Sequence, residues 1–110
     1  MRITLFRTKI YERSLASLSP GVSIDALEDD IAKDPLRWPV IPGTGGIRKA
    51  RFALGHKGKR GGGRVCYFYL VSEGHIYFLK AYAKNTQTDL TPDDKKVLRR
   101  LVQQIKEALS

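Results

Sequence analysis

The spacing of apolar positions changes along this chain, and each change marks an element. Residues 2–6, RITLF, alternate polar and apolar and predict a short strand. From Thr8, TKIYERSLASL sets Ile10, Tyr11, Leu15 and Leu18 on one side of a helix that ends before Ser19-Pro20-Gly21. A second helix follows. Ser23 caps it, Asp25 and Glu28 suit its positive N-terminal end, and Ile24, Leu27 and Ile31 form the buried stripe. Pro35 bars continuation beyond Asp34. The two segments read as a helical hairpin.

Residues 35–46, PLRWPVIPGTGG, contain three prolines and three glycines and predict an extended connection pinned to the core by Trp38, Val40 and Ile41. IRKARFAL then alternates, with Arg48, Ala50, Phe52 and Leu54 on one face and Lys49, Arg51 and Ala53 on the other. GHKGKRGGG predicts a flexible turn, and RVCYFYLV and HIYFLKAY predict two further strands joined by SEG, completing a three-stranded meander. The final helix has Thr91 as N-cap, Pro92 at its first position, Asp94 three residues after the cap, and apolar residues at 97, 98, 101, 102, 105, 108 and 109. The order βααβββα predicts one α+β domain over residues 1–110. Its helices pack on one side of a small, mainly antiparallel sheet, and the second face is left available.

Charge changes this picture. The net charge is +9, and between Asp34 and Glu73 there are eight Lys or Arg and no acidic residue. A block of one sign attracts polyanions, which favours nucleic acid or an acidic protein as partner, although a solvated basic face has the same composition. The single cysteine, Cys66, excludes an internal disulfide, and no apolar run approaches the roughly 20 residues of a membrane helix. A soluble cytoplasmic protein with no membrane partner is expected.

Several chemistries find no support. GTGGIR is not a dinucleotide fingerprint, GHKGKRG is not a phosphate-binding P-loop, GHKG stands between strands rather than helices, and RGGGRVCY lacks the stacking aromatics of an RNA-recognition motif. One Cys and two His, at 56 and 75, give no metal-ligand spacing, so no metal and no cofactor are expected. Both histidines read as exposed loop residues and Cys66 as a small strand residue. What remains is a set of cations. Lys49, Arg51, Arg64 and Lys84 can converge on a phosphate if the open sheet face carries them. Such a group suits RNA cleavage without metal, because RNA supplies its own 2′-OH nucleophile. Lys84 or Tyr82 can handle protons if burial among cations lowers its pKa. From the pattern alone, simple nucleic-acid binding ranks ahead of cleavage.

The stretch WPVIPGTGGIRKARFALGHKGKRGGGRVCYFYL, with LKAYAKNTQTDLTPDDKKVLRRLVQQI, closely resembles the RelE/HigB-type toxins of bacterial type II toxin-antitoxin systems over about residues 35 to 105. The patches GTGGIRKAR, GKRGG and R64, with Y.KN and DLT, resemble a HigB-like subgroup. The resemblance implies a RelE-like α+β fold, cleavage of mRNA in the ribosomal A site by 2′-OH attack, and a cognate antitoxin that silences the toxin. It places Arg64 in the phosphate-contacting role, Lys49 and Arg51 on the strand that positions substrate, and Lys84 where a basic catalytic residue is common, with Tyr82 beside it. Asn85 stands where a second arginine is common, and Thr91 lies near the position of a catalytic tyrosine, so the group that moves the proton stays open. Lys57, Lys59 and Arg60, with Arg48 and Asn85, are assigned to messenger or ribosomal RNA. Tyr67, Tyr69, Tyr77 and Phe78 are assigned no site. An acidic or amphipathic antitoxin segment is expected over the basic face. The competing readings are a ParE-like toxin that poisons gyrase and a non-catalytic RNA- or ribosome-binding protein.

Overall fold

The computed structural model describes residues 2–18, 23–54, 59–87 and 89–109. In chain order the elements are β1 (Thr4–Arg7), α1 (Lys9–Ala16), α2 (Ile24–Lys33), β2 (Ile47–Leu54), β3 (Lys59–Leu70), β4 (His75–Ala83) and α3 (Pro92–Leu109), with a short 3-10 turn at Val71–Glu73. They form one sheet in the order β1-β4-β3-β2, parallel between β1 and β4 and antiparallel elsewhere. The meander is therefore as expected. Two boundaries move. The first strand starts at Thr4 rather than Arg2, where pairing with His75 begins. β3 starts at Lys59, so most of the turn expected over 55–63 is strand, and its remainder, 55–58, lies outside the described residues.

Local chemistry sets the helix starts. The Thr8 hydroxyl accepts from the Tyr11 amide at 3.2 Å and donates to the Phe78 carbonyl at 2.8 Å, and the Ser23 hydroxyl accepts from the Ala26 amide at 3.0 Å. β1 is too short to pair with β4 beyond Phe78. There α1 takes over the open edge, and the Ser14 hydroxyl accepts from the Ala81 amide at 2.9 Å.

The sheet is buried on both faces, which corrects the expectation that all helices share one side. Tyr11 of α1 and Leu27 and Ile31 of α2 pack on Ala50, Phe52, Val65, Tyr67, Ile76, Phe78 and Ala81. Leu98 and Val102 of α3 pack on the opposite face, against Ile47, Cys66, Phe68, Leu79 and Tyr82. The near-continuous apolar run VCYFYL carries this signal, because a strand covered on both faces loses its polar alternation. An irregularity in the β3–β4 pairing skips Leu79, so Leu79 packs under α3 while its neighbour Lys80 reaches Asp94 on the same helix. Val97 and Leu109, counted in the buried stripe, are exposed. So is Val40, whose backbone forms a bridge with Arg48, while Trp38 and Ile41 do pack inward.

Glu28 has a different task from the one its helix position suggested. It is 4% exposed and accepts from Arg7 through both oxygens, at 2.8 and 2.9 Å, and from the Tyr11 hydroxyl at 2.9 Å. This triad ties β1, α1 and α2 together. Glu28→Ala strands a buried tyrosine hydroxyl and leaves Arg7 paired with Asp25 alone, and should cost about 2 kcal/mol in urea unfolding. A loss within experimental error would show that the triad is incidental. Gly63 is as constrained, since a Cβ there would lie 2.5 Å from the Phe52 ring. Gly63→Ala should therefore cost about 1–3 kcal/mol, measured in the same way.

Candidate nucleic-acid interface

Strand register brings the cations together. Arg51 pairs with Arg64, and Arg64 pairs in turn with Tyr82. One row away, Lys49 pairs with Cys66 and Cys66 with Lys80. All six side chains belong to the α3 face, by alternation from Ile47, Phe68 and the skipped Leu79. Lys49, Arg51 and Arg64 line one cleft of about 210 Å³, whose remaining wall is Trp38 and Pro39. Gly63 lets β3 lie close over Phe52, and the next residue is Arg64, half-buried, with Nη1 donating to the Gly63 carbonyl at 3.0 Å.

Trp38 was expected only to anchor the connection. It reaches the cleft because the 36–40 segment is strapped along the outer edge of β2. Arg48 donates to the carbonyls of Leu36 at 3.2 Å and Trp38 at 2.6 Å, and the Lys49 amide donates to Pro39 at 3.2 Å. Arg48, expected among the RNA contacts, thus lies on the α1/α2 face with its guanidinium holding the strap. Arg37 stands over the Trp38 ring at 4.8 Å.

The convergence of four cations resolves into three plus one. Lys84 is exposed, its amide donates to Gly62 at 2.9 Å, and with Asn85, Leu54 and Gly62 it lines a neighbouring cleft of about 260 Å³. Lys57 lies outside the described residues, as do the side chains of Lys59 and Arg60. His75, expected in a loop, begins β4, where its Nδ1 is 3.1 Å from the Tyr77 hydroxyl and its ring meets Phe6 edge-on.

Two carboxylates arrive where the linear sequence showed none. Asp89 sits between Lys49 at 3.6 Å and Lys95 at 3.9 Å, and Asp94 accepts from Lys80 at 3.0 Å. Burial alone would raise the Asp94 carboxyl, but the Lys80 ammonium and the Thr91 amide outweigh it and hold the group below the usual range. Neither aspartate is near the basic strands in sequence, so only the fold could reveal them.

Tyr82 is 4% exposed, and its hydroxyl has no hydrogen-bond partner among the described residues. Its pKa is raised, not lowered. Burial dominates, Cys66 and Asp89 push the same way, and Arg64 opposes them without prevailing. The hydroxyl therefore stays protonated at neutral pH and can donate but not act as a base. Cys66 is fully buried, which pushes its thiol up to about 12.

A four-stranded sheet sandwiched between two N-terminal helices and a C-terminal helix is the architecture of the RelE/ParE toxin superfamily. Residues 43–110 match the family described as the RelE toxin of the RelE/RelB toxin-antitoxin system, and the chain belongs to that family. The fold is similar to that of the E. coli toxin RelE, seen in the free state as a double arginine-to-alanine mutant. The TM-score is 0.57, with 10% identity over 80% of this chain and 90% of that one, so this likeness is one of fold. No helix among the described residues is long and apolar enough to cross a membrane.

Trp38 is the single tryptophan of the chain and lines the cleft. An anionic oligonucleotide entering the cleft should change its fluorescence saturably, and Arg64→Ala should weaken that response severalfold. Binding detected by anisotropy with no change in emission would place the oligonucleotide elsewhere.

Proposed function

We propose that this protein is the toxin of a type II toxin-antitoxin pair and a ribosome-dependent mRNA endoribonuclease of the HigB-like branch. The observation that carries this reading is the placement of Lys49, Arg51 and Arg64 around one cleft. In the proposed reaction the RNA 2′-OH gives its proton to solvent water as it attacks the adjacent phosphorus, the bond to the 5′ oxygen breaks, and a cyclic phosphate and, once that oxygen is protonated, a 5′-hydroxyl result. Arg64 and Arg51 hold the non-bridging oxygens and neutralise the charge that grows on them in the transition state. Lys49, beside Asp89, completes the cluster. Tyr82, a buried phenol on the strand beside Arg64, packs under the cluster and stays protonated. Lys84, from the adjoining cleft, supplies the proton to the leaving oxygen.

Ribosome dependence is what the family resemblance implies, and the size of the cleft is compatible with it. A cleft of about 210 Å³ accommodates little more than the reacting phosphate and its sugar, so the rest of the messenger is held outside it. Lys57, Lys59, Arg60 and Asn85 contribute contacts to messenger or ribosomal RNA phosphates. The HigB-like placement is supported by the patches GTGGIRKAR and YAKN. The antitoxin, an acidic or amphipathic segment, silences the toxin by covering the cleft.

Primer extension on mRNA in a reconstituted translation reaction tests the proposal. Wild-type protein should give cuts that require ribosomes. Arg64→Ala should reduce their rate by about 10²–10³-fold, and Lys84→Ala by about 10²-fold or more, with both variants folded. Full cutting by Arg64→Ala would remove that residue from the reaction. No cuts from folded wild-type protein, with inhibition of gyrase supercoiling instead, would favour the ParE-like reading.

A further inference from the structure

A second cationic surface lies along α3, outside the cleft but next to it. It is a groove of about 820 Å³ between the helix and the loop at Gly43, lined chiefly by Lys95, Lys96, Arg99, Arg100 and Gln103. We propose that this groove binds the sugar-phosphate backbone of RNA without reading its sequence. The inference rests on the reading of the protein as one that works on RNA.

Helix stability alone gives no reason for this pattern. Lys95 with Arg99, and Lys96 with Arg100, are like charges four residues apart on one helix, a spacing that destabilises it. The packing of α3 is done by Leu98 and Val102 on its other side. Arg99 is tethered to the Gly43 carbonyl at 3.4 Å and Lys106 to Gly45 at 2.8 Å, which fixes the helix against the loop. Lys96 and Arg100 are exposed and have no ion-pair partner among the described residues. They stand about 6 Å apart along the helix axis, a separation comparable with that of neighbouring phosphates on a strand.

The lining chooses between polyanions. It contains no aromatic side chain on which a base could stack and no branched aliphatic one to anchor an amphipathic peptide, whose recognition depends on such anchors. A phosphate backbone needs only the charges. Asp89 lies between Lys49 of the cleft and Lys95 of the groove, so the two surfaces adjoin.

The test is binding, measured by anisotropy and sedimentation between about 50 and 200 mM salt. The probes are short single-stranded 2′-O-methyl RNAs of unrelated sequence, and isolated small ribosomal subunits. Because 2′-O-methyl RNA cannot be cut, the outcome is independent of whether the protein is a nuclease. The double variant Lys96→Gln/Arg100→Gln should weaken binding alike for all sequences and lower the slope of log K against log salt by about 1.4 for single strands. A control, Arg13→Gln/Lys33→Gln, removes the same net charge from α1 and α2 and should leave the slope nearly unchanged. Weakening with the short RNAs assigns the groove to the messenger strand, and weakening confined to the subunits assigns it to ribosomal RNA. Either supports the proposal. Equal weakening by the control, unchanged binding in the groove variant, or selective loss of a polyglutamate peptide would overturn it.

Discussion

Two arginines stand directly opposite each other on adjacent antiparallel strands, and the site depends on this arrangement. Like charges in cross-strand register destabilise a sheet. Arg51 and Arg64 hold that register because their strands are fixed by what surrounds them. Phe52 fills the space that Gly63 leaves open, and Val65 and Cys66 are buried on opposite faces immediately after Arg64. The core thus imposes a charge placement that the charges alone would not adopt.

The rest of the molecule supplies the setting. Arg48, on the same strand as Arg51 but facing the other way, straps the 36–40 segment along the sheet edge and so brings Trp38 to the cleft. The chain after β4 brings Asp89 and Asp94 back to Lys49 and Lys80, which balances part of the local charge and orients the start of α3. Tyr82 closes the row from the inside with a hydroxyl that burial keeps protonated. Such an unpaired buried donor has a cost in free energy.

Much of this architecture was legible in the chain itself. The caps at Ser23 and Thr91, the stop at Pro35, the alternation of IRKARFAL and the order of the meander were readable because each is set by local geometry. The face covered by α3 was not, because a doubly buried strand shows no alternation to count. The candidate site was legible in its cations and less so in its grouping. Lys49, Arg51 and Arg64 share a cleft because two residues apart on a strand means one face, whereas Lys84 lies just beyond the strand end and enters the next cleft. Trp38, Asp89 and the Glu28 triad depend on contacts between segments distant in sequence. The direction of the Tyr82 shift turned on how deeply the ring is buried, which outweighed the nearby arginine.

The most direct test of the central claim is to neutralise one member of the arginine pair and read stability and cleavage from the same preparation. Arg51→Gln relieves the cross-strand repulsion at an exposed position, so urea unfolding should show stability unchanged or raised by up to about 1 kcal/mol. Ribosome-dependent cleavage should fall by about 10²-fold. A variant that loses stability while cutting mRNA at the wild-type rate would contradict the account, because the pair would then serve the fold and not the chemistry.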